Sequence, residues 1–431
     1  MKEKTESQKQ QINQLEQQLL ELIDQLEPSR QPAQERGRPR ILPAMCLWAG
    51  LLVSVLRGSG SQLAIWRILT KKGLWDYPRY PVTDQAVYKR LDQGGTEAIQ
   101  TMFQQISDLL QERIKPYVKK DLVPFAKSVV AIDTSTMDKV ARKLPVLREV
   151  KDGDLKLLPG KMAGIFDVRS QQWIHLQHIE KPSENDKVSA RSMLNHIEKD
   201  SMILADLGYF GFEWFDNLTS GGYHWLSRLR KKTSYEVRHV YYESETVFDG
   251  IIWLGAYRAD KAQHAVRLIR VLHGKTWREY ITNVLDPGQL SIQEVVNLYA
   301  RRWDIEMAFK LAKRDLGLHL FWSSKTTVIL QQMWAVMIIS QILQAMRLEI
   351  ASRAHVDLFE VSIALMVQYI PQWSADGTDM IEFFVQEGKS AGFIRPSRRI
   401  QPKVPPIENL GFVPLPDNFV LERKPRYARK M

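Results

Sequence analysis

Four polar side chains late in the chain, Tyr299, Arg302, Glu306 and Lys313, stand at spacings that a helix brings together. Ser291 and Glu294 form a capping-box pattern, and Val295, Leu298, Ile305, Phe309 and Leu316 recur behind it at helical intervals, which predicts a helix starting near Ser291. At about 100° per residue the four polar residues fall within an arc of roughly 60°, whereas Asp304 points some 140° away from Tyr299. One face thus offers a phenol, a guanidinium, a carboxylate and an ammonium. On spacing alone it reads equally as one wall of a site or as a solvated surface with an Arg–Glu pair at i,i+4, worth a few tenths of a kcal/mol.

The same four residues resemble the Y-x-x-R-x-x-x-E-x-x-x-x-x-x-K signature of insertion-sequence DDE transposases of the cut-and-paste type. Trp303, Ile305, Phe309 and Lys310 also match that family's run Y-x-x-R-W-x-I-E-x-x-F-K. The resemblance covers roughly Ser128 to Leu320 and is sharpest from Tyr299 to Lys313. It implies a DNA transposase that cuts at transposon ends and joins them to target DNA through phosphodiester transfer. Water would free a 3′ hydroxyl at the transposon end, and that hydroxyl would attack the opposite strand, giving a hairpin, or the target. In-line displacement needs charge neutralised on the attacking and leaving oxygens, which two Mg²⁺ (or Mn²⁺) ions roughly 3.5–4 Å apart provide when held by three carboxylates. Glu306 is one, and the resemblance calls for two aspartates upstream. Tyr299, Arg302 and Lys313 would hold phosphates near the cleaved end, Arg through its planar fork and Lys as a point charge. The implied partners are double-stranded DNA, as transposon ends and target, and a second copy of the chain in the end complex. The implied setting is the cytoplasm of a prokaryotic cell, on DNA and without a membrane.

The elements upstream supply the aspartates. Ser128-Val-Val-Ala-Ile-Asp133 is a β-branched apolar run with one carboxylate inserted, and a carboxylate there needs a partner or a metal. Strands are predicted at Met162–Val168 and Trp173–Ile179, a polar helix over Asn185–Lys199, and a strand over Met202–Ala205 that ends at Asp206-Leu-Gly-Tyr209. Three strands, a helix and a strand open an RNase H-like α/β core, a mixed sheet with flanking helices, and place Asp133 and Asp206 as its carboxylates beside Glu306. Taken alone, each aspartate reads as a structural, strand-end turn former. Around Asp206 the family match is looser, since only Gly208 and an aromatic come after it as expected. Asp138 and Asp167 lie off the expected strand positions.

Lys and Arg total 60 against 49 Asp and Glu, a net charge of +11 over 431 residues, which favours polyanionic partners. The single cysteine, Cys46, excludes an internal disulfide framework, and with the nine histidines it forms no zinc-ligand spacing. The apolar run Ile41–Leu56 is short for a membrane span and contains Pro43, so it reads as a buried helix.

The rest divides by composition. Residues 1–27 carry Ile12, Leu15, Leu19, Leu22 and Leu26 at coiled-coil steps, an amphipathic helix that either docks on its own protein or pairs with a copy. Residues 28–40 are a linker in which Arg36-Gly-Arg38-Pro-Arg40 looks like the core of an AT-hook, with Arg36 and Arg38 placed to enter a minor groove; a plain basic linker is the alternative. Residues 41–120 read as a helical DNA-binding domain. Thr83 caps a helix there whose Gln85, Tyr88, Lys89 and Arg90 would face DNA if the domain is helix-turn-helix-like. The catalytic core spans 121–325, interrupted at about 210–288 by a β-rich insertion with strands at Val247–Leu254, Ala265–Leu272 and Thr276–Val284. In the resembled family the insertion supplies an aromatic that holds a flipped base, for which Trp253 and Trp277 are candidates. Residues 326–394 form C-terminal helices, and 395–431 a basic, Pro-rich tail, extended or disordered. Two rivals share parts of this pattern: an RNase H-like nuclease that cuts without joining, and a non-enzymatic DNA-binding protein derived from a transposase.

Overall fold

The computed structural model describes Leu19, Leu22, Ile23 and residues 41–427, apart from 75–77, 137–159, 182–183, 185, 257–259, 319–320, 324, 374–378, 398, 400–402 and 408–412. In chain order its elements are α1 (Ala44–Leu56), α2 (Gln62–Arg67), α3 (Asp84–Gln93), α4 (Glu97–Ile114), β1 (Val129–Thr136), β2 (Lys161–Asp167), β3 (Gln172–Ile179), α5 (Asp186–Met193), β4 (Met202–Leu204), α6 (Phe212–Ser220) and β5 (His224–Arg228). Next come β6 (Tyr235–Glu243), β7 (Val247–Leu254), β8 (Val266–His273), β9 (Thr276–Thr282), α7 (Ile292–Arg301), α8 (Trp303–Lys310), α9 (Thr326–Arg353), α10 (Ile363–Trp373) and α11 (Met380–Glu387). Arg36 and Arg38 lie outside the described residues.

Among the described residues the strands form one sheet in the order β3-β2-β1-β4-β5-β9-β8-β7-β6. β1, β2 and β3 pair antiparallel, and β1, β4 and β5 pair parallel. That order and those directions make the core RNase H-like. β1 lies inside the sheet, which is why Val129 to Ile132 read as an unbroken apolar run and are all buried. The β6–β9 strands do not fold away from the core. β9 pairs with β5, and the antiparallel meander extends the same sheet. Two strands escape sequence patterning, β5 and β6, the latter bulged at two places along its register with β7. A bulge breaks the two-residue alternation on which strand recognition rests.

Helix α9 fastens the helical part to the sheet. It is long and apolar enough to cross a membrane, yet most of its apolar stretch is buried inside the molecule. Its buried Gln341 accepts the Trp173 amide of β3 at 2.8 Å and donates to the Trp173 carbonyl at 3.0 Å and to Ser107 of α4 at 2.8 Å. A glutamine thereby caps an open sheet edge that would otherwise carry unpaired backbone groups. Leu19, Leu22 and Ile23 are helical and buried in the same apolar cluster as α1 and α9. α3 starts as its sequence suggests, with Thr83 Oγ1 accepting from the Ala86 amide.

The C-terminal segment is extended, and part of it docks. Lys261 bridges Arg426 and His264 bridges Glu422, while Leu415 and Phe419 pack on Tyr241, Ile251, Trp253 and Ala265 of the inserted strands. The guanidinium of Arg423 lies 4.6 Å over the Trp253 ring.

Candidate active site

Strand register explains why two distant aspartates meet. In the parallel pair β1–β4, Ala131 stands opposite Leu204, and two residues further on come Asp133, still in β1, and Asp206, just past the end of β4. Adjacent strands run about 4.8 Å apart, so matched register makes the two side chains neighbours. On the other side of β1, Asp133 is opposite Gly164 of β2. A Cβ on Gly164 would meet the Trp173 ring at 2.6 Å, and the Trp173 ring in turn packs against Phe309 of α8, centroids 4.7 Å apart and planes tilted by 52°. The residue opposite Asp133 therefore has no side chain because aromatics fill that space and seat α8 against the sheet.

The helix predicted from Ser291 begins with the full capping box, Ser291 and Glu294 bonding each other's backbone amides. It is not continuous. Arg302 sits at a break between α7 and α8, and Leu311–Asp315 widens into a π-helical turn. Tyr299 thus lies before the break, Arg302 on it, Glu306 after it and Lys313 in the wide turn. Uniform helical spacing places these four on one face; Arg302 keeps helical backbone angles, φ −54° and ψ −31°, and contacts complete the face. Arg302 donates to Glu306, and Lys313 donates to the Thr136 carbonyl at the end of β1.

The electrostatics bind these elements into one site. Burial is the main cause that pushes the Asp133 carboxyl up to about 7, against the Thr134 amide that it accepts at 2.8 Å. The charges of Asp206 and Glu306 push in the same direction, and Arg302 opposes them. Asp206 accepts the Gly208 amide at 2.7 Å through Oδ1. Asp206 is thus a turn former through Oδ1, whereas Asp133, inside β1, accepts the next amide of its own strand. Burial works against the charge of Arg302, but its bond to Glu306 and that residue's charge hold its pKa above the ordinary value. Arg302 is 5% exposed, and its Nε and Nη1 have no hydrogen-bond partner among the described residues. Buried guanidinium donors left without an acceptor are costly and mark a place for an anion. Burial, opposed by Arg302 and Arg228, lifts the Tyr299 phenol to about 12, and its ring meets Tyr280 edge-on at 5.4 Å.

Asp304, on the far face of α8, has a different task. It is buried and accepts from Arg301 at 2.7 Å, Arg399 at 2.7 Å and Gln171 at 2.9 Å. Asp167 accepts the amides of Arg169 and Ser170 in a turn. Asp138 lies outside the described residues.

Beyond Tyr299 opens a cleft of about 940 Å³ that the three carboxylates do not line. Its floor is the stripe Tyr299, Trp303, Met307, Lys310 and Arg314, and Arg228 and Arg278 stand on its wall. Trp303 and Met307 are 53% and 45% exposed. Trp303 was legible only as a signature match; its exposure depends on which helix face the break presents. Trp253 is buried beneath Arg423, and Trp277 lies under Arg270 at 4.8 Å. Neither lines the cleft. Tyr209 carries no signal in the sequence beyond its place after Asp206; its buried hydroxyl has no partner among the described residues, and burial first, then the charges of Asp133, Asp186 and Asp206, raises its pKa.

Among the described residues no three His, Cys, Asp or Glu side chains stand close enough together to hold one ion. A site that shares one carboxylate between two ions needs pairs, not a triplet, and Asp133 senses Asp206 and Glu306 separately. Asp133, Asp206 and Glu306 offer hard carboxylate oxygens, the donor type that divalent cations such as Mg²⁺ take.

Part of the chain is similar to known transposases. The Transposase DDE domain profile matches residues 124–342, just over half of the chain. The transposase for insertion sequence element IS231F of Bacillus thuringiensis subsp. israelensis is 22% identical over 254 residues, 58% of this chain and 51% of that protein. The chain thus spans about half the length of the curated relative it matches. The piggyBac transposase, in a synaptic complex with hairpin DNA, aligns with a TM-score of 0.40 and 10% identity, over 91% of this chain and 83% of that one.

Proposed function

We propose, for a chain that belongs to the Transposase DDE domain family, that Asp133, Asp206 and Glu306 form the active site of an insertion-sequence transposase that cuts transposon ends and joins them to target DNA. The observation that carries this is the half-buried Asp133 carboxyl, pushed up to about 7 by desolvation first, with the charges of Asp206 and Glu306 adding to it. Burial first, then the charges of Asp206 and Glu306, disfavours the bare Asp133 carboxylate, and a divalent cation relieves that cost where a proton otherwise would. Two divalent ions, with Asp133 common to both, would neutralise charge on the attacking and leaving oxygens of the phosphodiester.

The chain's own groups do the rest. Glu306 is held toward the β1–β4 end by Arg302. The free Nε and Nη1 of Arg302 suit the non-bridging oxygens of a phosphate, which a guanidinium grips as a fork. Tyr299 flanks the same point, and Lys313 approaches from the end of β1. The basic, aromatic-floored cleft beyond Tyr299 is where a DNA strand leaves the site, its phosphates near Arg228, Arg278, Lys310 and Arg314 and its bases near Trp303. Arg36 and Arg38 add a minor-groove contact, and the end complex is a homodimer on double-stranded DNA.

The test is a denaturing-gel assay with Mg²⁺ or Mn²⁺ and labelled DNA carrying the ends that flank the gene. Wild type should give metal-dependent nicks at the element's end with hairpin or joined products. Asp133→Ala and Glu306→Ala should lose them by roughly a thousandfold or more, the scale of several kcal/mol of transition-state charge stabilisation, while still shifting the DNA. Cutting without joining would indicate a nuclease. Binding without strand breakage would indicate a DNA-binding derivative.

A further inference from the structure

We infer that Arg399, in the C-terminal segment, is a positioning residue for Glu306, which it serves by fastening the signature helix at the break; this rests on the active-site assignment above. Residue pairs just ahead of Arg399 fix its approach. Phe393 and Ile394 run beside Val361 and Ser362, and the Arg395 amide donates to the Glu360 carbonyl at 3.1 Å. From there the Arg399 guanidinium reaches back to two acceptors on either side of the break. Nη1 donates to Asp304 Oδ1 at 2.7 Å, and Nη2 donates to the Ala300 carbonyl. Ala300 is the last residue but one of α7, and Asp304 is the second of α8.

The clamp is itself clamped. The guanidinium lies 4.2 Å over the Phe359 ring, on which Arg301 also lies at 5.0 Å. The other oxygen of Asp304 is held by Arg301 and Gln171, and both donate to the Val168 carbonyl beyond β2, at 2.8 Å and 2.9 Å. Asp304 is therefore tied at once to α7, to the β2–β3 turn and to the C-terminal segment.

Asp304 and Glu306 are two residues apart on one short helix, so their side chains leave it in widely different directions. Whatever fixes the rotation and height of Asp304 fixes where Glu306 points. A break in the helix removes the continuous ladder that would otherwise carry α7's position into α8, and Arg399 spans that gap. The role needs an arginine, because one planar fork must satisfy a carboxylate and a carbonyl together. It comes from 95 residues further along the chain than Asp304, and from outside the stretch that the family profile matches.

The experiment uses the full-length protein as wild type, Arg399→Ala, Arg399→Lys and Lys403→Ala, the last removing an exposed cation of the same segment. Amide hydrogen exchange is followed by mass spectrometry without DNA or metal, and end cleavage is measured at saturating DNA. Arg399→Ala should speed exchange over 300–310 while β1 and β7 keep their protection. It should lower kcat by about 10- to 100-fold, the usual cost of losing a residue that orients a ligand, with KM within about twofold. Arg399→Lys should recover part of both, and Lys403→Ala should match wild type. Unchanged exchange over 300–310 with unchanged kcat would overturn the inference. So would a rise in exchange spread evenly over the whole chain, which marks a merely structural residue. If the wild type itself does not cleave, the active-site assignment fails, while the exchange result still decides whether Arg399 secures α8.

Discussion

Two buried arginine–carboxylate pairs stand in the same molecule, and they are finished to different degrees. Arg267 of β8 and Asp249 of β7 are both fully buried and meet through two bonds, at 2.7 and 2.6 Å, while Arg267 Nη1 also donates to the Leu290 carbonyl just ahead of α7. Arg302 and Glu306 share one contact, Glu306 keeps a 31% exposed side chain, and two guanidinium nitrogens of Arg302 go unmatched. A pair built for stability closes its valences. A pair that leaves them open is held in readiness for something the protein alone does not supply, here an anion for the arginine and a cation for the carboxylate.

The contrast is broken most directly at the finished pair. Arg267→Ala strands the fully buried Asp249 carboxylate, which has no other side-chain hydrogen bond among the described residues, and removing one partner of a buried ion pair costs about 3–5 kcal/mol. Thermal or urea unfolding should show a loss of that size. A loss below about 1 kcal/mol would mean that the pair is not sealed as described.

Sequence patterning found the features set by period and spacing, and lost those set by contacts between remote segments. β1, β4, the capping box at Ser291 and the Tyr299–Lys313 stretch were legible because apolar runs and side-chain intervals encode them locally. The Arg267–Asp249 pair was not, since nothing near either residue announces the other. Asp304 was legible as facing away from Glu306, but not as the anchor of Arg399, because its partner lies far along the chain. The helix break at Arg302 was invisible for a related reason: Tyr299 to Lys313 contains neither Pro nor Gly, the residues that usually signal an interruption.

A second difference between the regions is their response to pH. Asp133 belongs to the unfinished site, and its carboxyl stands at about 7 when folded, against 3.8 ordinarily. The folded state therefore binds this proton more tightly than the unfolded chain does. Its contribution to stability is present in full below about pH 4, declines as pH rises, and is lost above about pH 7. Asp133→Asn removes the titration. Measured in EDTA, the advantage of the variant in Tm over wild type should grow from pH 4 to pH 8. A difference that stays constant across that range would show that Asp133 is not compressed by burial and by its acidic neighbours.

The smallest effect is expected at Arg302 and sharpens the comparison most. If its free nitrogens wait for a phosphate, Arg302→Ala should reduce the slope of log affinity for end DNA against log salt by about one unit at most, since one phosphate contact releases about one counterion. Stability should change far less than at Arg267, because the variant also deletes two buried donors that had no acceptor and exposes Glu306, already partly in water. An unchanged salt slope would make Arg302 only a helix-pairing residue. A loss of stability equal to that of Arg267→Ala would erase the distinction between the two pairs, because the open valences at Arg302 would then be serving the fold and not a ligand.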